Sequence, residues 1–225
     1  MIDDTLSGHR SRLKERFLSS SGQGMPDYEI MELLLFLTRP RSDTKQIAKN
    51  LINTFGNLQN IIYANDLSLS EIKGIGQNSI FTFRLIKEII ARILKNKITN
   101  IKIFKSIKEV IDYCTITMGN LDVEIFKILF FNSKNVLLKE VDQQVGTINQ
   151  TPVYPREVVK KALELGASSL VMIHNHPSGD PNPSENDIFV TKTIKDILVK
   201  LNITLIDHII ISKDSYRSMR YLNLI

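Results

Sequence analysis

With a single cysteine, Cys114, the 225-residue chain cannot form an internal disulfide. That sets aside the disulfide-stapled folds of small secreted proteins and fits a reducing compartment. Cys114 lies in the apolar segment VIDYCTITM, near the expected C-terminus of a helix. It reads as a small buried hydrophobe rather than a reactive thiol. No apolar run reaches the length of a membrane span, so no membrane partner is expected. The opening MIDDTLSGHRSRLKERF is charged and has no continuous apolar stretch. This argues against a secretory leader and makes the cytoplasm the expected location. Internal repeats and low-complexity tracts are missing too. The remaining composition is that of a globular protein, 43% hydrophobic, enough for one large core or two small ones.

Charge is mildly positive at +5, and it is unevenly spread. Residues 1–100 hold 14 Lys and Arg against 10 Asp and Glu, and the remainder of the chain holds 15 against 14. The basic excess therefore lies in the first half. A solvated surface accounts for it as well as nucleic acid does.

From Ser11 to Lys97 the hydrophobic spacing is helical. In DYEIMELLLFLT the inward face is expected at Ile30, Leu33, Leu34 and Leu37, with Asp27 as N-cap and Arg39-Pro40 as the stop. TKQIAKNLINTFG repeats the pattern through Ile47, Leu51 and Phe55, and Gly56 ends it. Ser68 and Glu71 have capping-box spacing for a short helix, Gly74 and Gly76 interrupt it, and a longer amphipathic helix follows through Ile80, Phe83, Ile86, Ile90 and Leu94. This is the order of a helix-hairpin-helix, in which glycines let backbone N–H groups approach a phosphate. Six cations (Lys73, Arg84, Lys87, Arg92, Lys95, Lys97) face one acid, Glu88, across this stretch. Lys73, Gly74, Gly76, Arg84 and Lys87 are the candidate DNA contacts, which would be independent of base sequence. A hairpin that only packs or dimerises is the alternative.

The polar run 95–100, KNKITN, is the expected linker, dividing a helical domain (1–98) from a second domain (103–225). Beyond it, VEIFKILFFN and VLLKEVDQQVG read as strands joined by a turn at Ser133–Asn135. YPREVVKKALELGA reads as a helix with Pro155 in its first turn and Gly166 at its end. SSLVMIHNH is a buried strand, a helix opens at Ser184, and ITLIDHIIIS is a further strand. Strands and helices interleave, so the second half is α/β.

Chemistry concentrates in HNHPSGDPNPSEND, residues 174–187. His174 and His176 end an apolar strand two residues apart, so both imidazoles face the same way. Pro177, Gly179, Pro181 and Pro183 force a loop, and Ser184 opens a helix that carries Asp187 in its first turn. Two nitrogens and one carboxylate leave a fourth tetrahedral position for water, the pattern of a catalytic site for one zinc ion.

The spacing His174-x-His176-Pro177, six residues, Ser184, two residues, Asp187 matches the JAMM (MPN+) metalloprotease signature. The longer stretch GTINQTPVYPREVVKKALELGASSLVMIHNHPSG resembles the bacterial RadC proteins, and the likeness extends from about Ile103 to the C-terminus, with a similar helical part before it. The resemblance implies a JAMM-like α/β (α+β) domain with a mixed sheet and flanking helices, preceded by a small all-α domain. It implies that His174, His176 and Asp187 bind Zn(2+), and that the Ser184 hydroxyl steadies the reacting oxygen. It also implies a glutamate base at the start of an earlier strand, a position matched by Glu124, with Glu157 and Glu140 as rivals. The implied substrate is a peptide or protein, cut at a peptide or isopeptide bond. A DNA-associated accessory role linked to repair is the alternative, and a scaffold with silent chemistry is a third. Asp207 and His208 lie in a late strand, where His208 could orient the site or be structural. Asn149, Tyr154 and Arg156 could line a substrate groove or serve in turns and caps. His9 is expected to be exposed.

Overall fold

A computed structural model describes residues 3–40, 42–100, 107–143 and 153–225. The chain divides into two compact units, Met1–Ile89 and Ile90–Ile225.

The first unit is helical: α1 (Asp3–Ser20), α2 (Asp27–Thr38), α3 (Lys45–Phe55), α4 (Leu58–Tyr63), α5 (Asp66–Ser70) and the start of α6 (Gln77–Asn100). Met31, Leu35, Ala48, Leu51, Ile61, Leu69 and Phe83 form its centre. Gly56 ends α3 with φ 87°, as the sequence suggests. The inward face of α2 differs from the expected one. Met31, Glu32, Leu35 and Phe36 are buried, whereas Leu37 is 75% exposed. Nearly every residue of Ile30–Leu37 is apolar, so spacing alone could not choose the buried stripe. Pro26, not Asp27, is the N-cap of α2. The short helix α5 is capped by Asn65, whose side chain accepts from the Ser68 amide, so Ser68 and Glu71 do not form the expected capping box. Asn65 supplies the same chemistry three residues earlier. The 95–100 segment is no loop: α6 runs through it to Asn100. Its polarity marks an exposed helical face, and Ile98 among these residues is buried. His9, expected to be free, bonds through Nε2 to the buried Glu32 at 2.9 Å.

The second unit places a five-stranded mixed sheet between helices, in the order β2-β1-β3-β4-β5. Its strands are β1 (Phe126–Phe131), β2 (Leu137–Gln143), β3 (Ser169–Asn175), β4 (Thr204–Ile211) and β5 (Tyr216–Ser218), and its remaining helices are α7 (Ile107–Met118), α8 (Pro155–Glu164) and α9 (Glu185–Lys200). β1 pairs antiparallel with both β2 and β3. β3 and β4 are parallel, which requires the crossover that α9 provides. Because both faces are covered, β1 and β3 are buried along their whole length, and apart from Lys127 in β1 and Ser169, His174 and Asn175 at the ends of β3 they are apolar. Val110, Cys114 and Met118 of α7 pack on one face with Leu129, Phe131, Val171 and Ile173. Val158 and Ala162 of α8 and Ile194 and Leu198 of α9 cover the other, against Ile128, Phe130, Leu170 and Met172. Cys114 is fully buried, and burial pushes its thiol up to about 12, as an inert core residue requires. The hairpin turn falls where expected, with Asn135 at φ 61° and the Asn132 side chain accepting from the Lys134 and Val136 amides. The three-residue β5 is too short to show alternation, and the sequence reading omits it.

Candidate metal centre

His174 is the penultimate residue of β3, and His176 follows directly after the strand. The His176 amide still donates to the Ile211 carbonyl at 2.8 Å, so the backbone remains in ladder geometry and both imidazoles leave one face of the sheet. Their Nε2 atoms stand 2.9 Å apart. The loop then turns through Gly179 at φ 91°, a backbone conformation that favours glycine. Ser184 caps α9 and sets Asp187 at the third helical position. Asp187 Oδ1 lies 3.4 Å from His174 Nε2, and Oδ2 lies 3.7 Å from His176 Nε2.

A full capping box holds this corner. The Ser184 amide donates to Asp187 Oδ2 at 2.8 Å, and the Asp187 amide donates back to Ser184 Oγ at 3.1 Å. The Ser184 hydroxyl also donates to Oδ2 at 2.6 Å. Asp187 is thereby oriented by the helix terminus it caps, and its Oδ1 faces His174.

The donor set fits a small divalent cation. One ligand atom from each of His174, His176 and Asp187 lies within 4.8 Å of the others. A tetrahedral zinc with bonds of ~2.1 Å spaces its ligands by roughly 3.4 Å. Protons are directed away from the centre: His176 Nδ1 lies 2.7 Å from the Asp180 carbonyl, an acceptor only, so Nδ1 donates and Nε2 carries a lone pair. Imidazole nitrogens beside a carboxylate suit a cation. The carboxylate also acts on the rings. The Asp187 carboxylate, opposed by burial and helped by the Asp180 carbonyl and Glu124, raises the His176 pKa. Burial alone would raise the Asp187 carboxyl, but His174, His176 and Ser184 outweigh it and hold the group well below the ordinary carboxylate range.

Glu124 stands two residues before β1, whose first residue, Phe126, pairs with His174. The Glu124 charge is among those that raise the His176 pKa, which sets it near that imidazole. The rivals stand elsewhere. Glu140 occupies the other face of the sheet and binds Tyr113, Lys95 and Lys127. Glu157 is exposed on α8 beside Arg156. Tyr154 is the exposed N-cap of α8, with Arg156 over its ring, and Asn149 lies outside the described residues. His208 is buried and bonds to His174, whereas Asp207 faces away, accepting from Ser218 and Arg220.

Asn175 is a contributor the sequence reading overlooks. It is buried, its Oδ1 accepts from the Ile125 amide at 2.7 Å, and its Nδ2 donates to the Val123 carbonyl at 3.0 Å. One side chain thus grips the backbone on both sides of Glu124. Thr191, one helical turn beyond Asp187, is also missed. The available signals were a polar residue ending an apolar strand and a β-branched hydroxyl four residues after a ligand.

The candidate DNA contacts belong to the first unit. Gly74 has φ 98°, and a Cβ there would meet Ile47 Cδ1 at 2.6 Å, so packing and backbone conformation already require glycine. Arg39 donates to its carbonyl at 2.7 Å. Arg84 pairs with Asp66, and Lys87 lies over the Tyr63 ring. Lys73 and Gly76 are exposed.

Fold and site together define a mixed α/β domain with a His-His-Asp group, a candidate cation site, where a strand end meets a helix N-terminus. The profile described as "RadC-like JAB domain" matches residues 104–224. A UPF0758 protein of Ruegeria pomeroyi is 41% identical over 217 residues, covering 95% of this chain and 97% of that protein. The chain belongs to the RadC family. Among the described residues, no helix is long and apolar enough to cross a membrane.

Proposed function

We propose that the chain is a zinc-dependent hydrolase of the JAMM type, cutting peptide or isopeptide bonds in a protein substrate. The observation that carries this reading is the convergence of His174, His176 and Asp187 on one point, with Glu124 near enough for its charge to act on His176. A bound zinc ion would polarise the scissile carbonyl and bring a water pKa down to about 7. His174, His176 and Asp187 would hold the ion. Glu124 takes the proton of the attacking water and returns it to the leaving amine. Asn175 keeps the Glu124 backbone in place meanwhile. Ser184 orients Asp187 through the capping box, and its hydroxyl would have to turn from Asp187 Oδ2 to serve the developing oxyanion.

The test is elemental analysis of the purified chain, followed by a screen of peptide and isopeptide substrates. Glu124→Gln is expected to retain zinc at the wild-type ratio while lowering turnover by roughly 10²–10⁴-fold. A metal-free wild type, or full turnover by that variant, overturns the proposal.

DNA contact by the helical unit is a second proposal. It is favoured by Gly76, whose backbone does not need a positive φ and whose missing Cβ would meet nothing within 4 Å. The main chain beside exposed Lys73 is thus open to a phosphate. DNA affinity is expected to fall steeply with salt and to weaken in Lys73→Glu. No affinity at low salt excludes it.

A further inference from the structure

We propose that Thr191 and His208 form a one-way hydrogen-bond relay that fixes the His174 proton on Nδ1 and keeps Nε2 bare for a metal. The relay deepens the metal-site reading above and rests on it only for the identity of the ligand atom.

The direction follows from counting protons. Thr191 Oγ1 lies 2.5 Å from the Asp187 carbonyl oxygen, one helical turn back. A carbonyl can only accept, so the single hydroxyl proton of Thr191 points there. The same Oγ1 lies 2.6 Å from His208 Nδ1 and, with its proton committed, can only accept. His208 Nδ1 therefore carries a proton. The ring is fully enclosed and its nitrogens face Thr191 and His174 rather than a carboxylate, so it is neutral and has one proton to give. Its Nε2 is then an acceptor, 2.8 Å from His174 Nδ1, which must be the donor. The last proton of the chain sits on Nδ1, and His174 Nε2 faces His176 and Asp187 with its lone pair.

Reversing the chain would place two oxygen atoms 2.5 Å apart with no proton between them. The relay also ends on the residue that supplies the third ligand. The Asp187 carbonyl terminates it while the Asp187 carboxylate faces His174, so one residue of α9 sets both the carboxylate position and the imidazole tautomer. His176 obtains the same tautomer from a single loop carbonyl. His174, buried and without a carbonyl partner for Nδ1, obtains it through two intermediaries. Thr191 and His208 are positioning residues.

The test uses the metal-free full chain, labelled with ¹⁵N and observed in mildly alkaline buffer by two-bond ¹H–¹⁵N correlation of its imidazoles. The expected spectrum shows His174 with a protonated Nδ1 and an unprotonated Nε2. Zn(2+) affinity is then measured against a chromogenic chelator. Thr191→Val is expected to blur the His174 tautomer and weaken zinc binding by roughly 10–100-fold, and Thr191→Ser to restore both. Wild-type His174 protonated at Nε2 overturns the relay, as does Thr191→Val with wild-type zinc affinity. The wild-type spectrum does not depend on any variant folding. A wild type showing the expected tautomer but binding no zinc refutes the hydrolase and leaves the relay standing. Tight zinc binding with the opposite tautomer does the reverse.

Discussion

Asn175 stands between the two imidazoles in sequence and on the opposite face of the sheet in space. That alternation lets one strand end serve two purposes: His174 and His176 face the metal corner while Asn175 reaches back to hold the entry of β1. Both of its bonds engage backbone groups that have left the ladder. Asn175→Leu leaves the Ile125 amide and Val123 carbonyl without that partner, which costs on the order of 1–3 kcal/mol. Zinc stoichiometry should be unchanged, because none of the three ligands depends on this side chain, while turnover should fall with Glu124 released. Denaturant titration and metal analysis on the same preparation check both. An unchanged midpoint would show that the clamp contributes nothing. The convergence of His174, His176 and Asp187 was legible from spacing, since period-two alternation and a proline-glycine loop dictate where they point. Asn175 and Thr191 were not, because each is defined by a partner far away in sequence or by an exchange of protons that residue order does not display.

The start of α9 joins helix capping to ligand geometry. Ser184 to Asp187 is a capping box whose acidic member is also the third candidate ligand. Ser184→Ala should cost about 1 kcal/mol through the lost cap. It should also weaken zinc binding, because Asp187 Oδ2 loses its hydroxyl partner; Ser184→Thr should preserve both. Calorimetry with chelator competition separates the two effects. In the glycine hairpin before α6, the two glycines part company. Gly74→Ala must place a side chain at φ 98° against Ile47, and is expected to cost about 1 kcal/mol or more. Gly76→Ala should stay within about 0.5 kcal/mol of wild type. Any loss of DNA affinity in Gly76→Ala would therefore report on contact rather than on folding. The sequence displayed the hairpin because glycine between two periodic runs has few other uses. It hid the division of labour, since φ and neighbours are set by α3. The misplaced stripe of α2 has a related origin: a helix apolar on nearly all sides is turned by its neighbours rather than by its own pattern.

Across the sheet of the second unit, charge is sorted by face. The α8/α9 side carries the candidate metal corner, while the α7 side carries a separate cluster, buried at Lys127 on β1 and Tyr113 on α7, half-buried at Glu140 on β2 and exposed at Asp142 on β2 and Lys95 on α6. Lys127 is only 4% exposed in the middle of an otherwise apolar strand, so its ammonium needs these partners to remain charged. Burial opposes the charge on Glu140, yet Lys127, Lys95 and Tyr113 overcome it and hold the carboxyl below its ordinary 4.5. A carboxyl depressed on folding stabilises the native state fully above its unfolded pKa. That contribution declines as pH falls below about 4.5 and disappears once the folded pKa is passed. The second unit should therefore lose stability on acidification through this window. Glu140→Gln should be less stable at neutral pH and should show a flatter acid limb, because the titrating group is gone. Denaturant midpoints for wild type and Glu140→Gln at neutral pH and below 4.5 test this directly. If the two proteins lose stability in parallel on acidification, Glu140 is not the group responsible. The same comparison bears on the choice of base: a residue whose charge is consumed by two lysines and a tyrosine behind the sheet is in no position to move protons in front of it, which leaves Glu124 for that work.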